Sequence, residues 1–167
     1  MSKKLLDHFQ SRKLSIDERI IAGKKIRDKF PRIKQGDYKP AENRLDPVLI
    51  LEEQAKTRLP DLVPVRYARM LGSPFAFLRG GAAIMAADLA ANDKTTGINV
   101  QACGDMHIAN FGVFASAERN LVFGINDFDE TLPGPWEWDL KRLVASIVAA
   151  GRFLGATKIK CEESVLS

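Results

Sequence analysis

Two cysteines, two histidines and no apolar run long enough to span a bilayer set the first limits on this 167-residue chain. Cys103 and Cys161 form no CxxC pair, and His8 and His107 are the only imidazoles, so neither a disulfide framework nor a zinc site is supported. Cys103 reads instead as a small buried residue on a strand. No stretch approaches the eighteen or so apolar residues of a membrane span, and the opening Met-Ser-Lys-Lys-Leu-Leu-Asp lacks a signal peptide's apolar core. The expected address is cytoplasmic, with no membrane partner. Repeats and low-complexity tracts are absent, and so are the GxGxxG and GxxxxGK spacings that cradle phosphates. Gly80-Gly81 therefore reads as a packing contact or kink.

What remains is ordinary for a globular domain with a sizeable core: 46% hydrophobic and 28% charged residues. The net charge of +4 is unevenly placed, because residues 1–39 carry twelve Lys or Arg against five Asp or Glu, leaving the remainder acidic. A basic arm can attract nucleic acid or an anionic surface. This one has no interleaved aromatics to stack on bases, so a solvated helix face is the better reading and nucleic acid is not the expected partner.

Residues 1–40 read as a basic helical arm and linker: a helix over 3–30 with apolar Leu5, Leu6, Phe9, Ile16, Ile20 and Ile26, then a Pro- and Gly-containing surface linker over 31–46. Asp46-Pro47 and Ser73-Pro74 each place a capping side chain before a proline at the first helical position. They predict helices from 47 to about 58, with Glu52 and Lys56 paired one turn apart, and over 75–91. A short helix fits 62–71 between them. After a polar turn at 92–97, residues 98–103 alternate as a strand that ends at Gly104, and 121–125 form a second strand. Thr131–Pro135 reads as a turn. Residues 137–154 are the clearest helix, with Leu140, Leu143, Val144, Ile147, Val148 and Gly151 on one face and Glu137 and Asp139 in its first turn. The fold class expected is α+β, mostly helical, with a small strand pair carrying acidic loops.

Those loops carry the chemistry. Asp105 is followed five residues later by Asn110, and Asp127 follows a hydrophobic strand. In protein kinases an Asp with that spacing accepts the acceptor's hydroxyl proton, the Asn holds magnesium, and the later Asp holds magnesium bridging the phosphates. Asp105 is then the catalytic base, Asn110 and Asp127 are magnesium ligands, and Asp129 is a second candidate ligand, about 7 Å along the same face if the strand continues. His107 is assigned to the catalytic loop as its organiser rather than as acid or base. Asp and Asn also favour turns for their own hydrogen bonding, so spacing alone supports catalytic and loop-capping roles about equally. Trp136 and Trp138 read as packing residues; Asp139 reads as a helix cap in preference to orienting the loop, and Arg79, Lys141 and Arg142 as members of surface ion pairs in preference to meeting phosphate.

Long motifs in one order then identify a family. Pro64-Val-Arg-Tyr-Ala-Arg-Met70, Ser73-Pro-Phe-Ala-Phe-Leu-Arg-Gly80, Cys103-Gly-Asp-Met-His-Ile-Ala-Asn-Phe-Gly112, Asn126-Asp-Phe-Asp-Glu-Thr131 and Trp138-Asp-Leu-Lys-Arg142 resemble the bacterial family called domain of unknown function 2252, from about Asp46 to Gly155. The segment Cys103–Asn110 is also similar to the His-Gly-Asp-x-His-x-x-Asn loop of aminoglycoside and choline kinases, with Cys103 at the first His, and Asp127-Phe128 resembles the start of their Asp-Phe-Gly, with Asp129 at the Gly. The resemblance implies the catalytic half of a kinase-like fold, served by Mg2+ and ATP. It also implies longer relatives whose Gly-rich stretch and Lys-Glu strand follow the matched part. Residues 41–167 are then expected to be a truncated catalytic domain that lacks its nucleotide lobe and is inactive alone. A metal-dependent hydrolase using the same carboxylates is the alternative enzyme. The non-enzymatic alternative is an interaction module, whose exposed apolar surface a missing lobe or a second copy covers.

Overall fold

The computed structural model describes residues 14–92 and 95–166. The chain divides into two compact units, Met1–Tyr38 and Lys39–Ser167. In the first, helix α1 (Ile16–Lys29) starts at a capping box: Ser15 Oγ accepts the Glu18 amide and Glu18 Oε2 accepts the Ser15 amide. This box starts the helix at residue 16, with residues 14 and 15 outside it. The rest of that predicted helix, residues 3–13, lies outside the described residues, as do His8 and residues 93–94 of the predicted polar turn. No residue of α1 is buried. A single 3-10 turn, Arg32–Gly36, interrupts the linker.

The second unit is mostly helical α+β. Helix α2 (Pro47–Ala55) begins as the Asp46-Pro47 pair predicts, with Asp46 Oδ1 accepting the Val48 amide. It ends three residues earlier than expected, and Lys56 pairs with Glu53 instead of Glu52. After a 3-10 turn at Pro60–Leu62 comes α3 (Val63–Met70). The segment expected as one helix over 75–91 is two, α4 (Pro74–Gly80) and α5 (Ala82–Asn92), bent by 76°. Gly80 and Gly81 serve both as kink and as close contact. A Cβ on Gly80 would lie 2.5 Å from Met70 Sδ, and one on Gly81 would lie 3.2 Å from the Phe77 carbonyl oxygen. Among the described residues no single helix is long and apolar enough to cross a membrane.

Two antiparallel strand pairs follow, and neither is the pair the sequence suggests. Strand β1 (Asn99–Ala102) pairs with β4 (Leu132–Pro135), the segment expected to be a turn. Prolines at 133 and 135 are tolerated because a two-stranded sheet has an outer edge that needs no amide donor. Strand β3 (Leu121–Ile125) pairs with β2 (Phe111–Ala115), which was not anticipated. Helix α6 (Trp136–Phe153) then packs against α4, β1 and α7 (Lys158–Leu166). Its fully buried residues are Glu137, Arg142 and Ser146, whereas Leu140, on the predicted apolar face, is 40% exposed. The helix is the frame of this unit, and its most enclosed side is polar.

The cap at Ser73, whose Oγ accepts the Ala76 amide at 3.0 Å, fixes the start of α4. Ser73→Ala is expected to lower stability by about 1 kcal/mol, with Ser73→Asp close to wild type. Urea unfolding followed by circular dichroism measures this, and an unchanged midpoint in Ser73→Ala contradicts it.

Candidate functional site

The site begins where β1 ends. Gly104 has φ +86°, and a Cβ there would collide with the carbonyl oxygen of Glu130, so only glycine fits this turn. Asp139, in the first turn of α6, holds it from behind. Its Oδ2 accepts the Cys103 amide at 2.7 Å and its Oδ1 accepts the Gly104 amide at 3.1 Å. Asp139 therefore orients the loop instead of capping its helix, which starts at Pro135 with no side-chain cap. Thr131 bridges the same strand ends, its hydroxyl donating to the Ala102 carbonyl at 2.7 Å and accepting from Gln101 Nε2 at 2.8 Å.

Asp105 leaves this turn into an ion pair. Arg142 Nε and Nη2 reach its Oδ1 at 2.6 and 2.5 Å, and the same Nη2 donates to the Leu78 carbonyl at 2.6 Å. Arg142 is 3% exposed, so it is buried and not the surface ion-pair residue its sequence suggests. Removing a guanidinium from water is costly unless its donors are used. Here they meet a carboxylate, a carbonyl near the end of α4 and, weakly, Met85 Sδ at 3.8 Å. Arg66 takes the neighbouring Gly80 carbonyl at 2.7 Å. Arg66 thus takes a carbonyl at the helix break, while the Leu78 carbonyl accepts Arg142 in addition to the Gly81 amide.

His107 is buried, with its ring edge against Phe75 and its Nε2 3.6 Å from Asp105 Oδ2. Burial lowers its pKa below the usual 6.5; the nearby positive charges of Arg79 and Arg142 add to this, and Asp105 opposes it. The imidazole is therefore neutral at pH 7, and its contact with Asp105 is not an ion pair. The main chain around it is closed: His107 N–H donates to the Asp105 carbonyl and Asn110 N–H to the His107 carbonyl, both at 2.9 Å. Ile108 N–H donates to Ser146 Oγ on α6 at 2.9 Å.

Asn110 is buried, with Nδ2 donating to the Asp105 carbonyl at 2.7 Å. Its own carbonyl accepts the Asn126 amide at 3.0 Å and closes the base of the β2–β3 hairpin. The second acidic loop comes back to the first through sulfur: Cys103 Sγ donates to the Asp127 carbonyl at 3.2 Å. Cys103 is buried just past the end of β1, and burial raises its thiol pKa, with the charges of Asp139, Asp105 and Asp127 adding to the effect. Asp129 does not share a strand face with Asp127. Strand β3 stops at Ile125, and the Asp129 amide donates to Asp127 Oδ1 at 3.1 Å, a local turn that both Asp residues leave exposed to solvent.

Asp105, His107 and Asn110 thus share one loop, whose main chain is tied to the loop of Asp127 through Asn126 and Cys103, while the Asp127 and Asp129 side chains are exposed. Among the described residues no group of three or more His, Cys, Asp or Glu is arranged to hold a metal ion. Sequence reasoning missed Ser146, placed Arg142 at the surface, and ranked capping above the loop-orienting role that Asp139 takes. Their spacing of three and four residues on one helix was a readable signal, a polar stripe beside the apolar one. Glu137, one turn earlier than Arg142 and fully buried, accepts the Thr96 amide at 2.5 Å, while the Trp136 indole donates to Thr96 Oγ1 at 2.9 Å.

These features define a mostly helical α+β domain in which one helix fixes a strand-end acidic loop. Residues 58–167 match the family described as an uncharacterized protein conserved in bacteria, DUF2252, and the chain belongs to that family. No curated protein and no solved structure matches the chain.

Asp139→Ala leaves two enclosed amides without an acceptor and is expected to cost about 3 kcal/mol, measured by urea unfolding. A loss below about 0.5 kcal/mol would show that the clamp contributes little. His107 gives a pH dependence whose sign follows from its lowered pKa. Well above pH 6.5 the imidazole is neutral in both states; as pH falls toward and through that value, the unfolded chain takes up the proton first and stability is lost until the folded value is passed. His107→Gln is expected to flatten the fall in stability between about pH 7.5 and pH 5. Equal slopes for the two proteins would contradict it.

Proposed function

We propose that residues 41–167 act as the catalytic half of a kinase-like phosphotransferase, which takes a magnesium-bound nucleotide as donor and a hydroxyl compound as acceptor. The observation that carries this reading is the junction of the two acidic loops. One carboxylate, Asp139, fixes the turn from which Asp105 emerges, and Cys103 at that same turn donates to the main chain of Asp127. Phosphoryl transfer requires little covalent work from a protein beyond positioned charges and a base, so a rigid junction of this kind suits it.

In this reading Asp105 receives the acceptor's proton. Arg142 occupies Oδ1, and Oδ2, which faces neutral His107, is the oxygen left for that task. His107 organises the loop. Magnesium would be held by Asn110 and Asp127, with Asp129 as a second carboxylate; when bound, it supplies charge neutralisation between the phosphates. The donor chemistry fits, because magnesium takes hard oxygen ligands and is commonly held by one or two carboxylates with substrate phosphates and water completing its shell. A three-residue protein cluster is not required for that. The chain's own residues supply the base, its positioning and the metal's protein oxygens. Its 167 residues contain no GxGxxG or GxxxxGK loop to meet the nucleotide's phosphates.

The test is metal binding read residue by residue. Titrating the chain with Mn2+ as a paramagnetic stand-in for magnesium is expected to broaden amide resonances around Asn110, Asp127 and Asp129. Asp127→Asn is expected to weaken binding by about tenfold or more. Broadening that is unchanged when Asp105→Asn and Asp127→Asn are combined would sink the site assignment. Calorimetry with Mg·ATP then separates a metal-only site from one that takes the nucleotide.

A further inference from the structure

Arg79 carries a positive charge that no described residue takes up. Instead of joining the surface ion pair its sequence suggests, its exposed side chain makes no ion pair or hydrogen bond among the described residues. Its place is set by its neighbours on α4. Phe75, one turn earlier on the same face, lays its ring edge against His107 with centroids 6.3 Å apart. The Leu78 carbonyl, in the peptide bond that leads into Arg79, accepts Arg142 Nη2 at 2.6 Å, and that same nitrogen lies 2.5 Å from Asp105 Oδ1. Arg79 therefore leaves the helix beside the loop of Asp105 and His107, and its charge acts on the imidazole together with that of Arg142.

A nearby carboxylate would ordinarily capture a free guanidinium. Both oxygens of Asp105 face other groups, Oδ1 meeting Arg142 and Oδ2 lying 3.6 Å from His107 Nε2. On the other side of Arg79 in sequence, Arg66 is spent on the Gly80 carbonyl. Three guanidiniums thus gather at the last turn of α4, and among the described residues the one carboxylate bonded to any of them is Asp105. Three positive charges stand against one negative, and Arg79 is the member left open to solvent. His107 beside it is 2% exposed, and its Nδ1 has no hydrogen-bond partner. Enclosed polar atoms left in that state are few in native folds and call for a functional account.

From this geometry we infer that Arg79 binds a phosphate group brought beside Asp105 and His107. A guanidinium keeps its charge at any physiological pH, is weakly hydrated and presents its donors in a rigid fork that matches pairs of phosphate oxygens. Because Arg142 neutralises Asp105, the approaching anion is spared the repulsion of a bare carboxylate. Phosphate is favoured over a carboxylate because the phosphotransferase reading, on which this inference rests, brings one to Asp105. A nucleotide donor and a phosphorylated acceptor present the same group to Arg79, and the experiment separates them.

Inorganic phosphate titrated into the full chain from about 0.1 to 30 mM, at constant ionic strength and without metal, tests it. The reporters are the Arg79 Nε–H resonance and the His107 ring, which His8→Gln assigns because the chain has two histidines. Saturable shifts of both are expected. Arg79→Gln, at an exposed position, is expected to keep its circular dichroism spectrum and to weaken phosphate about tenfold or more. Arg79→Lys, which keeps the charge without the fork, is expected to weaken it about threefold. No saturable shift in the wild type, or one that Arg79→Gln leaves unchanged, overturns the proposal. Titrations with ATP and with glucose 6-phosphate, both without metal, then name the source: the tighter of the two assigns Arg79 to donor or acceptor, and equal affinities assign it to the phosphate alone. Phosphate bound through Arg79 with no Mn2+ broadening at Asn110 or Asp127 would sink the magnesium site and leave this one standing. Broadening there without phosphate binding would do the reverse.

Discussion

The carboxylate of Asp139 is the interaction on which the rest of the second unit depends. It accepts two successive amides, Cys103 and Gly104, at the point where β1 gives out and no strand partner remains to take them. Amides in such a position must find acceptors, and a charged acceptor is roughly twice as strong as a neutral one. With both bound, Gly104 can hold its positive φ against the Glu130 carbonyl, and everything downstream inherits a fixed direction. Asp105 is aimed at Arg142, the main chain folds back through His107 to Asn110, and Asn110 in turn closes the base of the hairpin whose second strand leads into Asp127.

Helix α6 accordingly does two jobs with two stripes. Its apolar residues lie half-buried against neighbouring elements, as any amphipathic helix would arrange them, and its polar stripe of Asp139, Arg142 and Ser146 reaches the loop. The polar stripe is the more deeply enclosed at Arg142 and Ser146, 3% and 0% exposed. A buried ion pair such as Arg142–Asp105 is weak evidence of stability, because desolvation offsets much of the attraction. What it provides is direction: it fixes one oxygen of Asp105 and ties that residue to the bend between α4 and α5 through the Leu78 carbonyl. The kink at Gly80-Gly81 and the loop at Asp105 are thereby parts of one arrangement, although 24 positions separate Gly81 from Asp105 in the sequence.

What could be read from the sequence was local. The caps at Asp46 and Ser73 and the long helix after Pro135 each rest on contacts within about one turn, which neighbouring residue types specify, and the strand at Leu121–Ile125 shows in its own apolar run although its partner does not. The gathering of Asp105, His107 and Asn110 was legible for the same reason, because one short loop holds them. The failures required partners far along the chain. Leu132–Pro135 looks like a turn until β1, some thirty residues earlier, pairs with it. Asp139 looks like a cap until Cys103 and Gly104 are seen to lack acceptors, and Arg142 looks solvated until Asp105 comes to meet it. Asp129 fails in the opposite sense: an alternation argument placed it beside Asp127, but a local Asx turn ended the strand first.

The hairpin gives this architecture its remaining asymmetry. One of its ends is fixed by Asn110 and Asn126, while Val113, Leu121 and Phe123 on its apolar face are exposed. A two-stranded sheet alone is marginal in water, so a hairpin that keeps a firm register needs support from its turn, its base or a covering surface. The base bond and the Phe111–Phe123 stack provide part of that support. Val113, Leu121 and Phe123 stay exposed on that hairpin, one loop along the chain from Asp105 and from Asp127. The register of the hairpin and the direction of the acidic loops are for that reason physically linked properties of the same forty residues.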